Sequence, residues 1–312
     1  MIDWHTPTVV VLGSVHMDLI ATADRLPSRG ESVLGNGFMV APGGKGGNQA
    51  CQLALAGCRT FMLSRVGNDG FGQQLVSALN ARKVDTSLIA IDAKHPTGAS
   101  TVFAAEGDYC SIISSGAGGH LSTADIEKAR PVIESADGLV LQLEVPVSVS
   151  IEAARLARAK NKCVVLNASP APQNASELPR ELLQSVTVLM VNAVEAQLLL
   201  GQPASGTAAA TELSKKLAVK TVVVTAGTAG STACHDGEIT HQAAYYAKVV
   251  DTVGAGDAYL GTFVTGLLQG LSMRIMMQRA AAAGALAVSR RGAYEAMPNR
   301  DEVDAYLQKN GG

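Results

Sequence analysis

Short apolar runs recur along the chain and alternate with segments of helical periodicity. The first, residues 8–12, reads T-V-V-V-L and ends at Gly13. A strand that is apolar at every position is buried on both faces, as in a parallel sheet that helices cover on both sides. Similar runs occupy residues 61–66, 138–141, 163–166, 186–191 and 221–225. We therefore predict an α/β fold built on a mostly parallel sheet.

Helical patterns separate these runs. They occupy residues 47–56, 71–81, 147–159 and 207–217. Two further segments, 122–125 and 299–302, have the sequence of a capping box and predict helix N-termini. Strands that alternate with helices imply right-handed crossovers, and ligands on such sheets bind beyond the carboxyl ends of the strands.

Two stretches interrupt the alternation and look like strand and hairpin material. They are residues 32–40 and residues 98–113, the second interrupted by the turn Glu106-Gly107-Asp108. We infer that they pair into a small extra sheet that could close over a substrate. Edge strands of the main sheet are the alternative interpretation.

A glycine-rich turn with one aspartate is the most informative segment. Residues 251–261 read D-T-V-G-A-G-D-A-Y-L-G and open a long helical pattern. Gly254 and Gly256 allow a sharp turn and a close approach to a ligand, and the free amides of Ala255 and Gly256 at a helix start form an anion site. Asp257 beside that site suits a base that takes a proton from a hydroxyl attacking the anion, as phosphoryl transfer requires. The alternative is a plain helix start, with Gly for the turn and Asp for the helix dipole.

Three motifs together resemble a known family. Residues 43–50 read G-G-K-G-G-N-Q-A, residues 67–72 read G-N-D-G-F-G, and residues 251–258 read D-T-V-G-A-G-D-A. In this order and separation they are similar to the two signatures of the ribokinase-like sugar kinases, the PfkB family. The resemblance extends over nearly the whole chain and implies a three-layer α/β fold with a mostly parallel central sheet and a small β-sheet lid.

The resemblance also implies a domain plan and a sugar site. We expect one kinase domain over residues 8–308, with a lid from about residues 18–42 and 97–115 that could also form a homodimer. Asp257 would be the catalytic base, assisted by the turn of Gly254, Ala255 and Gly256. The substrate-binding residues would be His16, Asp18, Gly44, Lys45, Asn48, Glu144 and Asp257. His16 departs from the Asn that the family usually has there, so the identity of the sugar stays open.

The same resemblance implies sites for ATP, Mg²⁺ and a monovalent cation, usually K⁺. ATP would contact Asn192, Thr225, Gly227, Gly230 and Gly256. Glu195, in the N-x-x-E motif with Asn192, would hold Mg²⁺ through water, although helix capping explains that motif about as well. The cation would be held by Asp251, Val253, Ala287, Arg290 and Gly292. A strand–turn–strand hairpin is the alternative for residues 225–230.

Composition gives no reason to expect nucleic acid or a membrane as a partner. The net charge is −2, with 25 Lys+Arg against 27 Asp+Glu. The most apolar stretch, residues 280–288, is far shorter than the roughly 20 residues that span a bilayer. The five cysteines are scattered without metal spacing, which favours reduced thiols in a cytoplasmic protein. The turn after the first strand, G-S-V-H-M-D, lacks the G-x-G-x-x-G of a dehydrogenase.

The resemblance to the family implies an ATP-dependent kinase that phosphorylates the primary hydroxyl of a pentose, with D-ribose as the first candidate. Within the family, the alternatives are a kinase of deoxyribose, of another sugar, of a sugar acid or of a nucleoside. Outside catalysis, the alternative is a sugar-binding regulator that has lost turnover.

Overall fold

The computed structural model describes residues 6–105 and 108–311, in which the chain forms fourteen strands and ten α-helices. The strands are β1 (Thr8–Leu12), β2 (His16–Thr22), β3 (Gly37–Gly43), β4 (Arg59–Gly67), β5 (Val84–Asp85), β6 (Ile89–Asp92), β7 (Gly98–Ala105), β8 (Asp108–Ser114), β9 (Gly138–Leu141), β10 (Cys163–Asn167), β11 (Val188–Asn192), β12 (Thr221–Thr225), β13 (Ser231–His235) and β14 (Glu238–Gln242). The helices are α1 (Lys45–Ala56), α2 (Gly70–Ala81), α3 (Thr123–Ser135), α4 (Val147–Ala159), α5 (Arg180–Leu183), α6 (Ala193–Leu200), α7 (Gly206–Leu217), α8 (Ala255–Leu268), α9 (Met273–Val288) and α10 (Arg300–Lys309).

The main sheet is mostly parallel and covered on both faces. Its order is β14-β13-β12-β11-β10-β9-β1-β4-β5, with β6 also paired to β4; only β13 and β14 run antiparallel to their neighbours. In β1, Val9 and Val11 pack into one hydrophobic core cluster, and Val10 and Leu12 pack into the other. This two-sided burial explains the continuous apolar run and confirms the predicted three-layer α/β fold.

A separate four-stranded sheet, in the order β3-β2-β7-β8, lies beside the main one. Both segments that interrupt the alternation belong to it, but they do not pair with each other: β2 lies between them and pairs with β3 on one side and with β7 on the other. The two segments are therefore not edge strands of the main sheet. The strand predicted over residues 32–40 lies further along the chain, since β3 runs from Gly37 to Gly43. The backbone amide of Asn36 donates to the Thr22 carbonyl, and the antiparallel pairing of β2 with β3 begins after that contact. Of the predicted turn, Glu106 and Gly107 lie outside the described residues.

Both predicted capping boxes are present. Ser122 and Asp125 exchange hydrogen bonds at the start of α3, and Asn299 and Glu302 do so at the start of α10. Helix α1 begins at Lys45, two residues earlier than its apolar pattern suggested. Within the residues that the structure describes, no helix has the length and hydropathy needed to cross a bilayer.

Candidate active site

The candidate residues follow the carboxyl ends of neighbouring parallel strands. Ser14 follows β1, Glu144 follows β9, Asn167 ends β10, Asn192 ends β11 and Thr225 ends β12. Parallel strands place these ends at one edge of the sheet, where open α/β folds bind ligands.

Residues 251–257, the second glycine turn, lead into α8. The helix begins at Ala255 after Gly254, whose φ of 76° is in the left-handed region that glycine adopts without strain. A Cβ added to Gly256 would meet nothing within 4 Å, so a ligand can approach the backbone closely there. The first amides of α8 have no partner within the helix and favour an anion, although the Ala255 amide makes a long hydrogen bond, 3.4 Å, to the Thr252 carbonyl before the helix.

Asp257 is buried in the first turn of α8, with 9% of its surface exposed. Its two carboxylate oxygens accept from different side chains of α1: Asn48 Nδ2 donates to Oδ2 and Gln49 Nε2 donates to Oδ1, each at 2.8 Å. Burial raises the pKa of Asp257, while the positive charge of Lys45 and the two amide donors oppose that rise. A carboxylate with a raised pKa is a stronger proton acceptor than an exposed one.

Gln49 belongs to a buried amide network that extends away from Asp257. Its Nε2 also donates to Asn167 Oδ1 at 3.1 Å, and its Oε1 accepts from Gln142 Nε2 at 2.6 Å. Asn167 in turn donates to the carbonyl of Met190 at 3.1 Å. These side chains join the base to the ends of β9 and β10 and to the middle of β11. Sequence reasoning missed their role, although Gln49 stands in the N-Q-A part of the first signature.

Residues 43–48, the first glycine turn, start α1 beside the end of β1. Gly44 has a φ of 93°, and a Cβ there would lie 2.7 Å from the Ser14 carbonyl, so only glycine fits. Ser14 Oγ donates to Glu144 Oε2, and the Lys45 amide donates to the same oxygen at 3.3 Å. The Glu144 carboxylate thus links the ends of β1 and β9 to the start of α1.

His16 and Asp18 lie on β2, which pairs with β3, the strand that ends at Gly43 of this turn. His16 Nε2 is 3.2 Å from Asp18 Oδ1, and His16 is 7% exposed. A Cβ on Gly43 would overlap the Asp18 carboxylate, so the two residues are in direct contact. The Asp18 carboxylate therefore lies beside Gly43, two residues before Lys45 starts α1.

Asn48 has an acceptor that the protein does not use. The residue is 6% exposed, and among the described residues no donor reaches its Oδ1. A buried amide oxygen without a partner is costly. It lies on the side chain that contacts Asp257, so a substrate hydroxyl there could donate to Asn48 and face the base.

Asn192 and Glu195 form a capping box at the start of α6. The Asn192 amide donates to Glu195 Oε2, and the Glu195 amide donates to Asn192 Oδ1, both at 2.8 Å. The capping alternative is thus realised, and it leaves Glu195 Oε1 outside the box. A water-mediated Mg²⁺ site at these residues stays a prediction.

Thr225 and the glycines that follow it form the turn of an antiparallel hairpin between β12 and β13. Gly227 and Gly230 both have positive φ, at 53° and 86°. Thr225 stands directly opposite Asn192 in the sheet. The hairpin alternative is realised as well, and the turn lies at the same edge of the sheet as the first and second glycine turns.

The predicted cation residues come from two segments that touch. Asp251 accepts from the Val253 amide at 3.0 Å and from the Gly292 amide at 3.1 Å. The Ala287 carbonyl, however, accepts from the Arg290 amide, and the Arg290 side chain pairs with Glu302. The Gly292 amide thus joins the two segments, while the Ala287 carbonyl and the Arg290 side chain have other partners; the cation site stays a prediction.

A scan against protein-family models matches residues 6–300 to the pfkB family carbohydrate kinases. Ribokinase of Haemophilus influenzae is 31% identical over 305 residues, covering 96% of this chain and 98% of its own. Deoxyribokinase of Salmonella typhi is 28% identical, covering 97% of this chain and 99% of its own. The solved structure of Arabidopsis thaliana ribokinase complexed with ribose and ATP superposes with a TM-score of 0.88 at 31% identity, covering 97% of this chain and 99% of that one.

The fold, the two glycine turns and these matches define a carbohydrate kinase, which is a phosphotransferase with a sugar hydroxyl as acceptor. The chain belongs to the pfkB family of carbohydrate kinases.

Proposed function

We propose that this protein transfers the γ-phosphoryl group of ATP to the primary hydroxyl of D-ribose, giving D-ribose 5-phosphate. The observation that carries the proposal is the contact between Asp257, at the start of α8, and Asn48 of the first glycine turn. A buried carboxylate that contacts Asn48 and lies in the first turn of a helix supports a base with a hydroxyl on one side and an anion on the other. The relatives named ribokinase, and the ribokinase structure with ribose and ATP, support this choice of substrate.

In this mechanism Asp257 takes the proton of the attacking hydroxyl. The sugar oxygen forms a bond to the γ-phosphorus while the bond from that phosphorus to the β-γ bridging oxygen breaks, and ADP leaves with that electron pair. The amides of Ala255 and Gly256 donate to the phosphoryl oxygens as charge redistributes. The raised pKa of Asp257 favours the transfer because it strengthens the base.

The sugar would lie between β2 and α1. Asp18 and Glu144 present carboxylates to its hydroxyls, and Asn48 offers the unused Oδ1. Lys45 and the Gly44 backbone complete the predicted set. His16 contacts Asp18, so it would orient the carboxylate that selects the sugar.

The proposed nucleotide site is formed by Asn192, Thr225, Gly227, Gly230 and Gly256 at the same edge of the sheet. Glu195 fits Mg²⁺ through water, because its second oxygen is not used by the capping box and magnesium keeps most of its waters. When bound, Mg²⁺ would offset negative charge on the phosphates. Asp251 and the backbone of Val253, Ala287, Arg290 and Gly292 could hold a monovalent cation, since a carboxylate and nearby carbonyls are suitable oxygen donors.

We also propose that the single domain, residues 8–308, uses the small sheet, about residues 18–42 and 97–115, as a lid and a dimer interface. Positions directly opposite in neighbouring strands share a face, so Phe38 and Ile112 lie on the face away from Asp18. They are 71% and 69% exposed. Exposed apolar side chains on one sheet face favour a second copy of this chain as the partner.

A substrate panel tests the proposal. ADP release would be followed with ATP, Mg²⁺ and K⁺ against D-ribose, 2-deoxyribose, ketohexoses, sugar acids and nucleosides. We expect the highest kcat/KM with D-ribose. The deoxyribokinase relative and the histidine at position 16 favour 2-deoxyribose as the second candidate, and a higher kcat/KM with it would replace the first. Sugar binding without phosphorylation of any member would instead indicate a regulator.

A cytoplasmic location belongs to the same proposal. All five cysteines are unpaired, and burial raises the pKa of Cys51, Cys58 and Cys163. Unpaired thiols suit a reducing compartment.

A further inference from the structure

A buried tyrosine connects the two glycine turns, and neither signature includes it. Tyr294 is 1% exposed and lies in the C-terminal loop, residues 289–299, between α9 and α10. Its hydroxyl donates to the Gly43 carbonyl at 3.2 Å. A Cβ on Gly47 would overlap that hydroxyl, so the small residue on α1 makes room for the tyrosine.

The same loop rests on the second glycine turn. The Gly292 amide donates to Asp251 Oδ2 at 3.1 Å. A Cβ on Gly254 would lie 3.0 Å from Met297 Cε and 3.5 Å from Ala293 Cα, so loop and turn are closely packed. The C-terminal loop therefore contacts the second glycine turn directly and the first glycine turn through Tyr294.

Gly43 transmits this contact to the sugar-binding carboxylate. A Cβ on Gly43 would overlap Asp18, so the peptide that Tyr294 holds forms the wall against which Asp18 packs. Burial, followed by the charges of neighbouring groups that include Asp18, raises the pKa of Tyr294 well above its ordinary value. The phenol therefore stays a donor at any working pH.

We propose that Tyr294 is a positioning residue, which fixes the first glycine turn for sugar binding by tying it to the loop that supports the second. The inference rests on the proposed function, since it names a residue of the same site. Tyr294 does not touch the reacting atoms. Its loss should weaken sugar binding and leave ATP binding unchanged.

Tyr294→Phe removes only the hydroxyl, and Tyr259→Phe is the matched control. Tyr259 is also buried, at 6% exposed, and its hydroxyl donates to Ser231 Oγ at 2.8 Å, away from the first glycine turn. By calorimetry we expect the Kd of D-ribose to rise about fivefold in Tyr294→Phe, as for the loss of one neutral hydrogen bond, and to stay unchanged in Tyr259→Phe. The KM of ATP should be unchanged in Tyr294→Phe.

Amide hydrogen exchange gives a second measurement that needs no sugar. We expect faster exchange over residues 43–48 in Tyr294→Phe and wild-type exchange there in Tyr259→Phe. Equal ribose Kd in Tyr294→Phe and wild type, or an equal rise in both variants, would overturn the proposal. If the wild-type protein binds no D-ribose, the proposed function fails. Amide exchange over residues 43–48 then tests the role of Tyr294 by itself, and unchanged exchange in Tyr294→Phe overturns that role.

Discussion

Gln49→Met removes one of the two side-chain amide donors to the carboxylate of Asp257. The methionine side chain has similar length but lacks the Nε2 that donates to Asp257 Oδ1 and to Asn167 Oδ1, and the Oε1 that accepts from Gln142. Asn48 and Lys45 remain, so Asp257 keeps one amide donor and one nearby positive charge. Because the lost donor favours the ionised carboxylate, the pKa of Asp257 should rise further in the variant.

A hydrogen bond to a charged group contributes about 1.5–3 kcal/mol, and we take the lower end because the remaining donor and Lys45 compensate in part. About 1.4 kcal/mol corresponds to a tenfold change in equilibrium. On the acid limb of the pH profile of kcat/KM, activity follows the ionised fraction of Asp257, so kcat/KM for D-ribose should fall about tenfold at a given pH. The whole acid limb of the profile should move to higher pH. kcat/KM is the suitable quantity because it reports groups of the free enzyme.

Gln52→Met is the matched control. Gln52 is on the same helix and is also fully buried, but its Nε2 donates to Thr262 Oγ1 and to the Pro298 carbonyl, not to a carboxylate. It should lower the free energy of unfolding without moving the acid limb. Superimposable pH profiles for Gln49→Met and wild type, or equal shifts in both variants, would refute the reasoning.

Three further outcomes are expected. Glu144→Gln should move the acid limb of the pH profile to lower pH, because the negative charge of Glu144 raises the pKa of Asp257. The same change should raise the KM of D-ribose. A shift of the acid limb to higher pH would contradict this prediction. Asp257→Asn should raise Tm by a few degrees at pH 8, because burial raises the pKa of Asp257 in the folded state and ionisation then costs stability. The gain in Tm should vanish below about pH 3.9, where the wild-type carboxyl is protonated in both the folded and the unfolded state. A lower Tm of the variant at pH 8 would count against this reasoning. Phe38→Asp should shift a dimer to monomer in light scattering, whereas an unchanged mass would remove the small sheet as the interface.

The layers of the fold could be predicted because they follow from local patterns. Residues 8–12 are apolar throughout since both faces of β1 are covered, and that signal needs no knowledge of partners. The start of β3 could not be placed, because it depends on the Asn36 contact with Thr22 across the hairpin. The N-x-x-E motif was ambiguous for a physical reason, since the same two side chains can cap a helix and bind a metal.

The contacts of the candidate site were beyond sequence reasoning because they join distant parts of the chain. Asn48 and Asp257 are 209 positions apart, and Tyr294 and Gly43 are 251 apart. The signatures named Asn48 and Asp257, but nothing in them shows that Gln49 also binds the base. No local pattern distinguishes Tyr294 from an ordinary core tyrosine.

The role of Asp257 as the base is the central claim, and turnover of Asp257→Asn tests it most directly. The variant should fold, because the Asn48 amide can rotate and offer its unused Oδ1 to the new amide. With D-ribose and saturating ATP we predict that kcat falls about 10²–10⁴-fold while the Kd of ATP stays within twofold, since only proton transfer is lost. A kcat near that of the wild type would contradict the account.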